Sequence, residues 1–465
     1  MDKREFLKTS GAFVAANLLP GVATAEPAST TSPAPRSNWA GNYTFRAPRF
    51  ETPKNVEEVQ KIVTAATKVK GLGSRHSFNN IADSPQTQVA LKAIDSMQID
   101  KVAQTVTVGA GVTYGQLSPW LDQHGFALHN LASLPHISII GACATGTHGS
   151  GVHNGNLSTA VTALELVTAD GKLVTISRQQ DGDQFLGKII ALGALGVATK
   201  VTLSVQPTFQ MKQVVYENLS IAQLEHNLET IFSSGYSVSL FTDWQNHRIT
   251  QVWLKDVWLK DVWLKSRIQP SEPATLPPLF YGATLQKQKL HPLAGHPAES
   301  CTEQMGIPGP WYERMPHFRM NFTPSSGQEI QSEYFIPRNR GYEAILAIES
   351  LRDKITPHLF ISELRTIAAD NLWLSPAYQR DSMAIHFTWK PEAEAVRNVL
   401  PLIEAKLAPF AARPHWAKVF TMAPATCNPF TPNSPTSKPS PASTIPTENS
   451  ATPTSTPTSS PPDFP

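Results

Sequence analysis

The sequence predicts an α+β protein built from two domains with disordered ends. Its 465 residues exceed what a single hydrophobic core usually organises. Segments with helical spacing of apolar residues alternate with short β-branched segments through the body of the chain. Both ends are instead rich in proline, serine and threonine, so we expect them to bury no core.

Residues 1–25 have the layout of an export signal. A basic string from Lys3 to Lys8 precedes an apolar run from Gly11 to Ala23 and a small-residue cleavage site. The run is too short for a stable membrane span. The basic string is similar to a twin-arginine signal with lysine in the first place, which predicts export of a folded protein to the periplasm or beyond. The alternatives are an ordinary signal for unfolded export and a cytoplasmic protein whose signal is not used.

Residues 26–38 form a predicted linker, and residues 39–210 a predicted first α+β domain. Apolar residues recur on one face of a helix from Asn55 to Ala66. A second helix is predicted from Tyr114 to His124, with Gly125 as its C-cap. Strands are predicted at Val69, over 105–108 and over 201–205, and a hairpin turns at Asp170 and Gly171.

Residues 211–424 form a predicted second α+β domain that contains an unusual repeat. The string Val-Trp-Leu-Lys-Asp at 252–256 recurs at 257–261, and its first four residues recur at 262–265. A period of five residues suits neither a helix nor a strand, so the repeat does not indicate a solenoid. We interpret it as one strand segment duplicated in tandem, whose extra copies form an exposed loop with exposed tryptophans.

Composition narrows the function classes. The formal net charge is +2 with no basic cluster in the body, which argues against a nucleic-acid partner. The three cysteines, Cys143, Cys301 and Cys427, are too few and too scattered for a disulfide framework or a zinc site, and no metal site is predicted. Residues 425–465 are predicted to be a disordered tail, which serves as a stalk or has no function.

Two stretches of glycine and small hydroxyl residues, each carrying a histidine, are the most informative motifs. The first is Gly71–Phe78, and the second comprises Ser133–His136 and Gly146–Gly151. Glycine lets the backbone approach a pyrophosphate, whose oxygens accept hydrogen bonds from main-chain N–H groups. The spacing fits neither a Rossmann fingerprint nor a P-loop. Together the two stretches predict a large phosphorylated cofactor, whereas either one alone would suit a simple turn.

Polar residues alternate along three predicted strands of the second domain. Side chains two residues apart share one face of a strand. Three such faces predict a polar sheet surface suited to a polyhydroxylated ligand, and a surface that meets only solvent is the alternative. The pairs are Gln331 and Glu333, Glu363 and Arg365, and His386 and Thr388.

These motifs resemble the vanillyl-alcohol-oxidase superfamily, and within it the alditol oxidases of the xylitol and sorbitol type, which are relatives of the aldonolactone oxidases. The resemblance covers about residues 39–422 of both predicted domains. It implies an FAD-binding α+β domain joined to a substrate domain with an antiparallel sheet. It also implies a monomer that oxidises the terminal primary alcohol of a polyol and reduces oxygen to hydrogen peroxide. The strings that carry it are 71–78, 133–138, 146–151, 195–197, 331–334, 362–366 and 385–390.

The resemblance implies which residues bind the cofactor. His76 would form a single covalent bond to the 8α-methyl group of FAD, because Cys143 lies too far along the chain to supply the second bond found in some relatives. His148 is interpreted as a residue of the cofactor loop rather than as a base. Val197 is expected beneath the adenine side of the cofactor. The expected groove above it comprises Gly71, Leu72, Gly73, Ser74, Arg75, His76, Ser77, Ser133, Ser138, Gly141, Thr145, Gly146, Thr147 and His148.

The resemblance also implies the catalytic and substrate-binding residues. Arg365 and Lys418 are expected to be the cations near the flavin and the substrate oxygen. Lys418 would accept the hydroxyl proton if burial lowers its pKa, and His386 would either accept that proton or orient the hydroxyl. The expected substrate contacts are Ser133, Gln331, Glu363, Arg365, His386, Thr388 and Lys418.

The sequence departs from the family pattern after about Ala423. Relatives continue through a helical stretch to the string Asp-Pro-x-Gly-Lys-Phe-x-Asn, where this sequence turns to proline, serine and threonine. A frameshift near Ala423 would explain the change. Two alternatives to a polyol oxidase therefore stay open, namely an aldonolactone oxidase or dehydrogenase and a catalytically inactive flavoprotein homologue.

Overall fold

The computed structural model of the protein describes residues 36–258, 276–322 and 329–423. The predicted signal at 1–25, nearly all of the predicted linker and the predicted tail at 425–465 lie outside the described residues. The same holds for the repeat from residue 259 onward. Among the helices that are described, none is long and apolar enough to cross a membrane. The boundaries predicted for the two domains stay predictions.

The first half of the described chain combines three small sheets with short helices, and the smallest of these sheets is the antiparallel pair of β6 and β10. β1, β3 and β2 form a parallel three-stranded sheet, and β4, β5, β9, β7 and β8 form an antiparallel five-stranded sheet in that order. The elements are β1 (Arg49–Glu51), α1 (Val56–Ala65), β2 (Val69–Leu72), β3 (Thr87–Ala90), β4 (Met97–Asp100), β5 (Thr105–Gly109), α2 (Tyr114–Gln123), β6 (Phe126–Ala127), α3 (Ile139–Ala144), β7 (Val161–Val167), β8 (Leu173–Ser177), α4 (Arg178–Asp181), α5 (Leu186–Ile189), β9 (Val197–Ser204) and β10 (Gln206–Pro207).

Local sequence signals explain the ends of these elements. The Asn55 side chain accepts a hydrogen bond from the Glu58 N–H at 2.9 Å and so caps α1. Val59 and Val63, one helical turn apart, are the buried residues of that helix. Gly171 has φ +77° in the β7–β8 hairpin, where glycine carries no steric cost. The helices predicted over 55–66 and 114–124 and the predicted hairpin are confirmed to within one or two residues.

The second half is organised by a ten-stranded sheet. Its main path runs β14-β15-β11-β13-β12-β18-β19-β17-β20, and β16 pairs with β11 beside that path. The pairs between these neighbours are antiparallel, as predicted. The elements are β11 (Gln210–Ser220), α6 (Leu224–Phe232), β12 (Ser237–Thr242), β13 (Arg248–Trp258), β14 (Leu279–Phe280), β15 (Ala283–Leu285), β16 (Gly309–Pro310), β17 (Ile330–Pro337), α7 (Gly341–Glu349), α8 (Arg352–Ile355), β18 (Leu359–Ile367), β19 (Ser382–Trp389), α9 (Ala393–Leu407) and β20 (Arg413–Pro414).

The two faces of this sheet differ in polarity. α6, α7 and α9 contribute their buried apolar residues to the same core as Leu240, Leu364 and Ile385 of the sheet. Val396, Leu400 and the other buried residues of α9 repeat at helical spacing, which explains why this helix packs along one stripe. The opposite face carries the polar residues of the candidate site.

The tandem repeat begins inside a central strand. β13 contains the whole first copy and continues through Val257 and Trp258, which pair with Met211 and Gln210 of β11. The prediction that the second copy lies entirely in a loop is therefore wrong for its first two residues, because β11 is long enough to pair with them. Trp253 of the first copy is fully buried.

Candidate active site

The loop after β2 packs against the start of α3 to form a glycine-lined groove. Ser74 and Ser138 exchange hydrogen bonds, since the Ser138 N–H donates to Ser74 Oγ at 3.2 Å and the Ser74 N–H donates to Ser138 Oγ at 3.4 Å. A Cβ atom at Gly73 would lie 2.2 Å from Ser138 Oγ, and one at Gly141 would lie 2.6 Å from it. Glycine at both positions keeps the backbone N–H groups accessible, which suits a pyrophosphate.

The predicted cofactor residues converge on this groove with two exceptions. Gly146 and Val197 lie behind its wall: Gly146 turns the chain at φ +67°, and Val197 is buried beneath Gly71. Neither residue lines the groove: Val197 lies below it, as expected for that residue, whereas Gly146 was expected in the lining. The residues that line it are Gly71, Leu72, Gly73, Ser74, Arg75, His76, Ser77, Ser133, Ser138, Gly141, Thr145, Thr147 and His148.

His76 sits among aromatic rings at one end of the groove. Its ring centroid lies 4.4 Å from that of Trp39, and its Nδ1 lies 3.4 Å from His136 Nε2. Burial, the neighbouring His136 and the Lys418 charge hold the pKa of His76 well below its usual range. The imidazole is therefore neutral at ordinary pH.

The second wall of the same cavity is the polar face of the large sheet. Glu333 and Glu363 both pair with His386 across β19, one from each side. Gln331 likewise pairs with Thr388. The register confirms that the three predicted pairs share one face of the sheet, and Gln331, Glu333, Glu363, Arg365, His386 and Thr388 all line the cavity.

Glu333 is the centre of a buried charge cluster. Its carboxylate accepts from Arg365 Nη2 at 2.6 Å and from Lys418 Nζ at 2.7 Å, and its Oε1 lies 3.2 Å from His148 Nε2. Burial alone would raise the pKa of Glu333, but Lys418, His148 and Arg365 hold it well below the usual range. The carboxylate is therefore ionised and balances one of the two cations.

Lys418 joins this cluster to His386. Its Nζ lies 2.7 Å from His386 Nδ1, while His386 Nε2 lies 3.0 Å from Thr388 Oγ1. Burial and the Lys418 charge lower the pKa of His386 to about 4, so its ring is neutral. Burial also lowers the pKa of Lys418, although Glu333 opposes this shift. Asn79 donates to the Trp416 and Lys418 carbonyls at 2.9 Å each and so ties Lys418 to the loop that follows the glycine motif.

Arg365 links the two halves of the chain. Its Nη1 donates to Ser133 Oγ at 3.4 Å, across 232 residues of sequence, and its Nε lies 3.6 Å from Glu363 Oε2. Burial would raise the pKa of Glu363, but Arg365 and His317 hold it below the usual range. Both carboxylates of the site thus stay ionised, and Arg365 stands between them.

Sequence reasoning missed part of this site. Glu333 was noticed only as the partner of Gln331, and His148 belongs to the charge cluster as well as to the cofactor loop. His148 and His415 lie close enough to Glu333 to share a metal ion with it, but Arg365 and Lys418 already neutralise that carboxylate. His317 carries no local pattern that marks it, because its partners lie on distant strands.

Comparisons with known proteins agree with this geometry. Residues 48–177, which contain the glycine loop, match the model of an FAD binding domain, and residues 322–433 match the model of D-arabinono-1,4-lactone oxidase. The glycine-lined groove and the polar cavity beside it thus define an FAD-dependent oxidoreductase.

Similar sequences show to which family of FAD-dependent oxidoreductases the chain belongs. The alditol oxidase of Streptomyces sp. (strain IKD472 / FERM P-14339) is 45% identical over 390 residues, which span 83% of this chain and 89% of that protein. The L-gulonolactone oxidase of Mus musculus is 27% identical over 406 residues, spanning 82% and 88%. The chain therefore belongs to the alditol oxidase family.

Solved structures agree on the fold. A solvent-stable cholesterol oxidase has a TM-score of 0.62 at 14% identity, and the cholesterol oxidase of B. sterolicum has 0.63 at 15%. Each match covers 83% of this chain and 86% of the other. At this identity the likeness shows the fold alone, which is the vanillyl-alcohol-oxidase type that the sequence predicted.

Proposed function

We propose that the protein oxidises the terminal primary alcohol of an acyclic polyol, such as xylitol or sorbitol, to the aldose, and that oxygen is reduced to hydrogen peroxide. FAD, when bound, supplies the acceptor for the hydride of the alcohol carbon. The observation that carries the proposal is the sheet face that presents ionised carboxylates and a neutral histidine to the same cavity as the glycine groove. A polyol offers a row of hydroxyl donors and acceptors to such a face.

The binding roles follow from hydrogen-bond chemistry. Ionised Glu363 can only accept, so it selects hydroxyl groups that donate. The Gln331 amide and the Thr388 hydroxyl can each donate and accept, and they lie across from each other on neighbouring strands. Ser133 stands 3.4 Å from Arg365 at the junction with the cofactor groove, where the reacting hydroxyl would bind.

We assign acceptance of the hydroxyl proton to the His386–Lys418 pair. The neutral imidazole has one unprotonated nitrogen, and the Lys418 amine 2.7 Å from Nδ1 can exchange a proton with it. Because the two nitrogens share a hydrogen bond, a proton taken up by one residue changes the pKa of the other, and the pair titrates as one unit. Arg365 would stabilise negative charge on the substrate oxygen as that proton leaves.

We also propose a single covalent bond between His76 and the 8α-methyl group of FAD. Its side chain lines the groove, and its neutral imidazole could act as a nucleophile. A C–H bond of the 8α-carbon would break as the C–N bond forms, and the electron pair would pass to the flavin and then to oxygen. The test is flavin fluorescence of the acid-precipitated protein, which should stay with the polypeptide in the wild type and be lost from it in His76→Ala. Retained fluorescence in the variant would refute this attachment site.

Substrate profiling tests the proposed reaction against its rival. The match of residues 322–433 to D-arabinono-1,4-lactone oxidase favours a lactone as the second candidate substrate. Peroxide release by the flavin-loaded protein should be faster with xylitol and sorbitol than with L-gulono-1,4-lactone. The reverse order would support the lactone reaction, and reduction of a dye without peroxide would indicate a dehydrogenase. A loaded protein with no turnover of either class would be an inactive homologue.

Export and a monomeric state are further proposals. Export is supported by the basic and apolar strings at the N-terminus. Fractionation of cells with and without a change of Lys3 and Arg4 to glutamine would test it, and unchanged location would contradict it. Light scattering of the purified, flavin-loaded protein would give the mass in solution.

A further inference from the structure

A buried lysine of the tandem repeat is connected to the polar sheet face through a histidine. Lys255 of β13 is 1% exposed, and its Nζ donates to the Met315 carbonyl at 2.6 Å. The same Nζ lies 3.0 Å from His317 Nδ1, and His317 Nε2 lies 2.7 Å from Glu363 Oε1. Lys255 does not line the cavity, whereas His317 and Glu363 do.

The three groups form a directed chain of hydrogen bonds. Lys255 carries an ammonium group below its pKa, which burial lowers to about 7, and an ammonium group can only donate. His317 Nδ1 must therefore accept. Burial and the Lys255 charge lower the pKa of His317 to about 4, so its ring holds one proton, and that proton is on Nε2. From there it is donated to Glu363.

The ring of His317 is held in place independently of this chain. Its centroid lies 5.1 Å from that of Trp253 and 5.4 Å from that of Phe241. Removal of the lysine amine should therefore leave the imidazole where it is and change only how readily the ring takes a second proton. Other charged or titratable groups that act on Lys255 are Glu363, Arg365 and Cys301.

We propose that Lys255 and His317 are positioning residues for Glu363: Lys255 and Glu363 fix the neutral form of His317 from its two sides, and the Lys255 charge keeps the ring from taking a second proton, so that His317 holds the Glu363 carboxylate as an acceptor for substrate hydroxyls. Arg365 Nε lies 3.6 Å from the other carboxylate oxygen of Glu363, so both oxygens have a positioned neighbour, and Glu363 lines the cavity where substrate hydroxyls would bind. The statement that Glu363 accepts from substrate hydroxyls rests on the proposed polyol function. The protonation state of His317 is independent of that function.

The tautomer is tested first by nitrogen NMR of the full-length, flavin-loaded protein labelled with ¹⁵N-histidine. At about pH 6, below the Lys255 pKa of about 7, the wild type should show His317 protonated on Nε2 and unprotonated on Nδ1. The signals are identified by their loss in His317→Gln. In Lys255→Met the Glu363 carboxylate still requires a proton on Nε2, but without the ammonium charge His317 should take up a second proton, and both ring nitrogens should then show the shifts of an imidazolium. An unchanged pattern in that variant overturns the proposal.

Steady-state kinetics then measure how the protonation state of His317 affects KM and kcat for xylitol. Lys255→Met should raise KM for xylitol about tenfold, because a Glu363 carboxylate paired with a charged imidazolium accepts more weakly from substrate hydroxyls, with kcat changed less than about twofold. His317→Gln keeps an amide N–H that can reach Glu363 and should retain KM within about threefold, whereas His317→Phe should behave as Lys255→Met does. Equal KM values in all four proteins would overturn the positioning role.

The two proposals fail in different ways. If the wild type oxidises a lactone and no polyol, the proposed function is wrong, and KM for the lactone replaces KM for xylitol in the same comparison. Flavin content and circular dichroism show whether each variant folds. If Lys255→Met does not fold, the KM values of His317→Gln and His317→Phe decide whether an N–H donor to Glu363 matters.

Discussion

The two walls of the cavity are built on different principles. The cofactor wall uses backbone and small side chains, as in Gly73 and Gly141, whose missing Cβ atoms make room for Ser138. The substrate wall uses buried charge, with Glu333 held between Arg365 and Lys418. A backbone cradle binds whatever has the right shape and negative charge, whereas a charge cluster sets protonation states. We therefore expect changes in the first wall to affect cofactor retention and changes in the second to affect the rate.

Lys418→Met should have the largest effect. Loss of one member of the proton-accepting pair is expected to lower the rate of flavin reduction by xylitol about 10³-fold, within the range for general acid–base groups. Anaerobic bleaching of the flavin absorbance in a stopped-flow instrument measures this step alone. Flavin content should stay at the wild-type level, which is the control for the cofactor wall. A rate within tenfold of the wild type would exclude Lys418 from the pair.

Glu333→Gln tests the substrate wall alone, because it removes the charge of the side chain and changes its shape very little. The Glu333 carboxylate raises the pKa of Lys418, so its loss should lower that pKa further. The rise of kcat/KM with pH that reports deprotonation of the pair should therefore move to lower pH. At a fixed neutral pH, we expect kcat to fall about 10²-fold because Arg365 and Lys418 lose their buried counter-charge. A fall in kcat without any displacement of the pH profile would mean that Glu333 serves only to hold the structure.

How far the sequence predicts this molecule depends on the distance along the chain over which each constraint acts. The glycine stretch Gly71–Phe78 is recognisable because eight adjacent residues carry the constraint, and the helix over 56–65 because its cap and apolar face are local. The shared polar face was predictable because alternation is a property of each strand by itself. The substrate wall was therefore predicted as a surface.

The charge cluster was not predictable in the same way. Lys418 and Glu333 are 85 residues apart, and only the order of strands brings them within 2.7 Å. Lys255 and His317 meet across 62 residues for the same reason. No local pattern marks such partners, because each side chain is unremarkable until another element packs on it. The sequence therefore predicts most hydrogen-bonding groups that line the cavity. It does not predict the contacts of Lys255 and His317 or the central place of Glu333 in the charge cluster.

Gly73→Ala tests the cofactor wall. Overpacking against Ser138 Oγ is expected to cost about 1–3 kcal/mol, which corresponds to an increase of about 5- to 150-fold in Kd for FAD if the cost falls on the bound state. The measurement is best made in a His76→Ala background, where binding is reversible if His76 is the attachment site. Adding Ser138→Ala removes the clashing oxygen and should restore part of the affinity. A double variant no better than Gly73→Ala would show that the steric argument is wrong.

Deletion of one repeat unit should have the smallest effect. Removing residues 257–261 brings the third Val-Trp-Leu-Lys copy into the place of the second, so the sequence of β13 from Arg248 to Trp258 is unchanged. We expect the free energy of unfolding to stay within about 0.5 kcal/mol and xylitol turnover to stay the same. Urea denaturation and peroxide release measure the two quantities.

A longer deletion provides the matched comparison. Removing residues 256–265 places Ser266, Arg267 and the residue after them opposite Lys212, Met211 and Gln210, where Asp256, Val257 and Trp258 now pair. Three lost cross-strand pairs at the end of β13 should cost about 1–2 kcal/mol, while Lys255 and its chain to Glu363 stay in place. If the shorter deletion already costs as much as the longer one, the repeat contributes contacts beyond residue 258, and the second and third copies are more than spare copies of one strand.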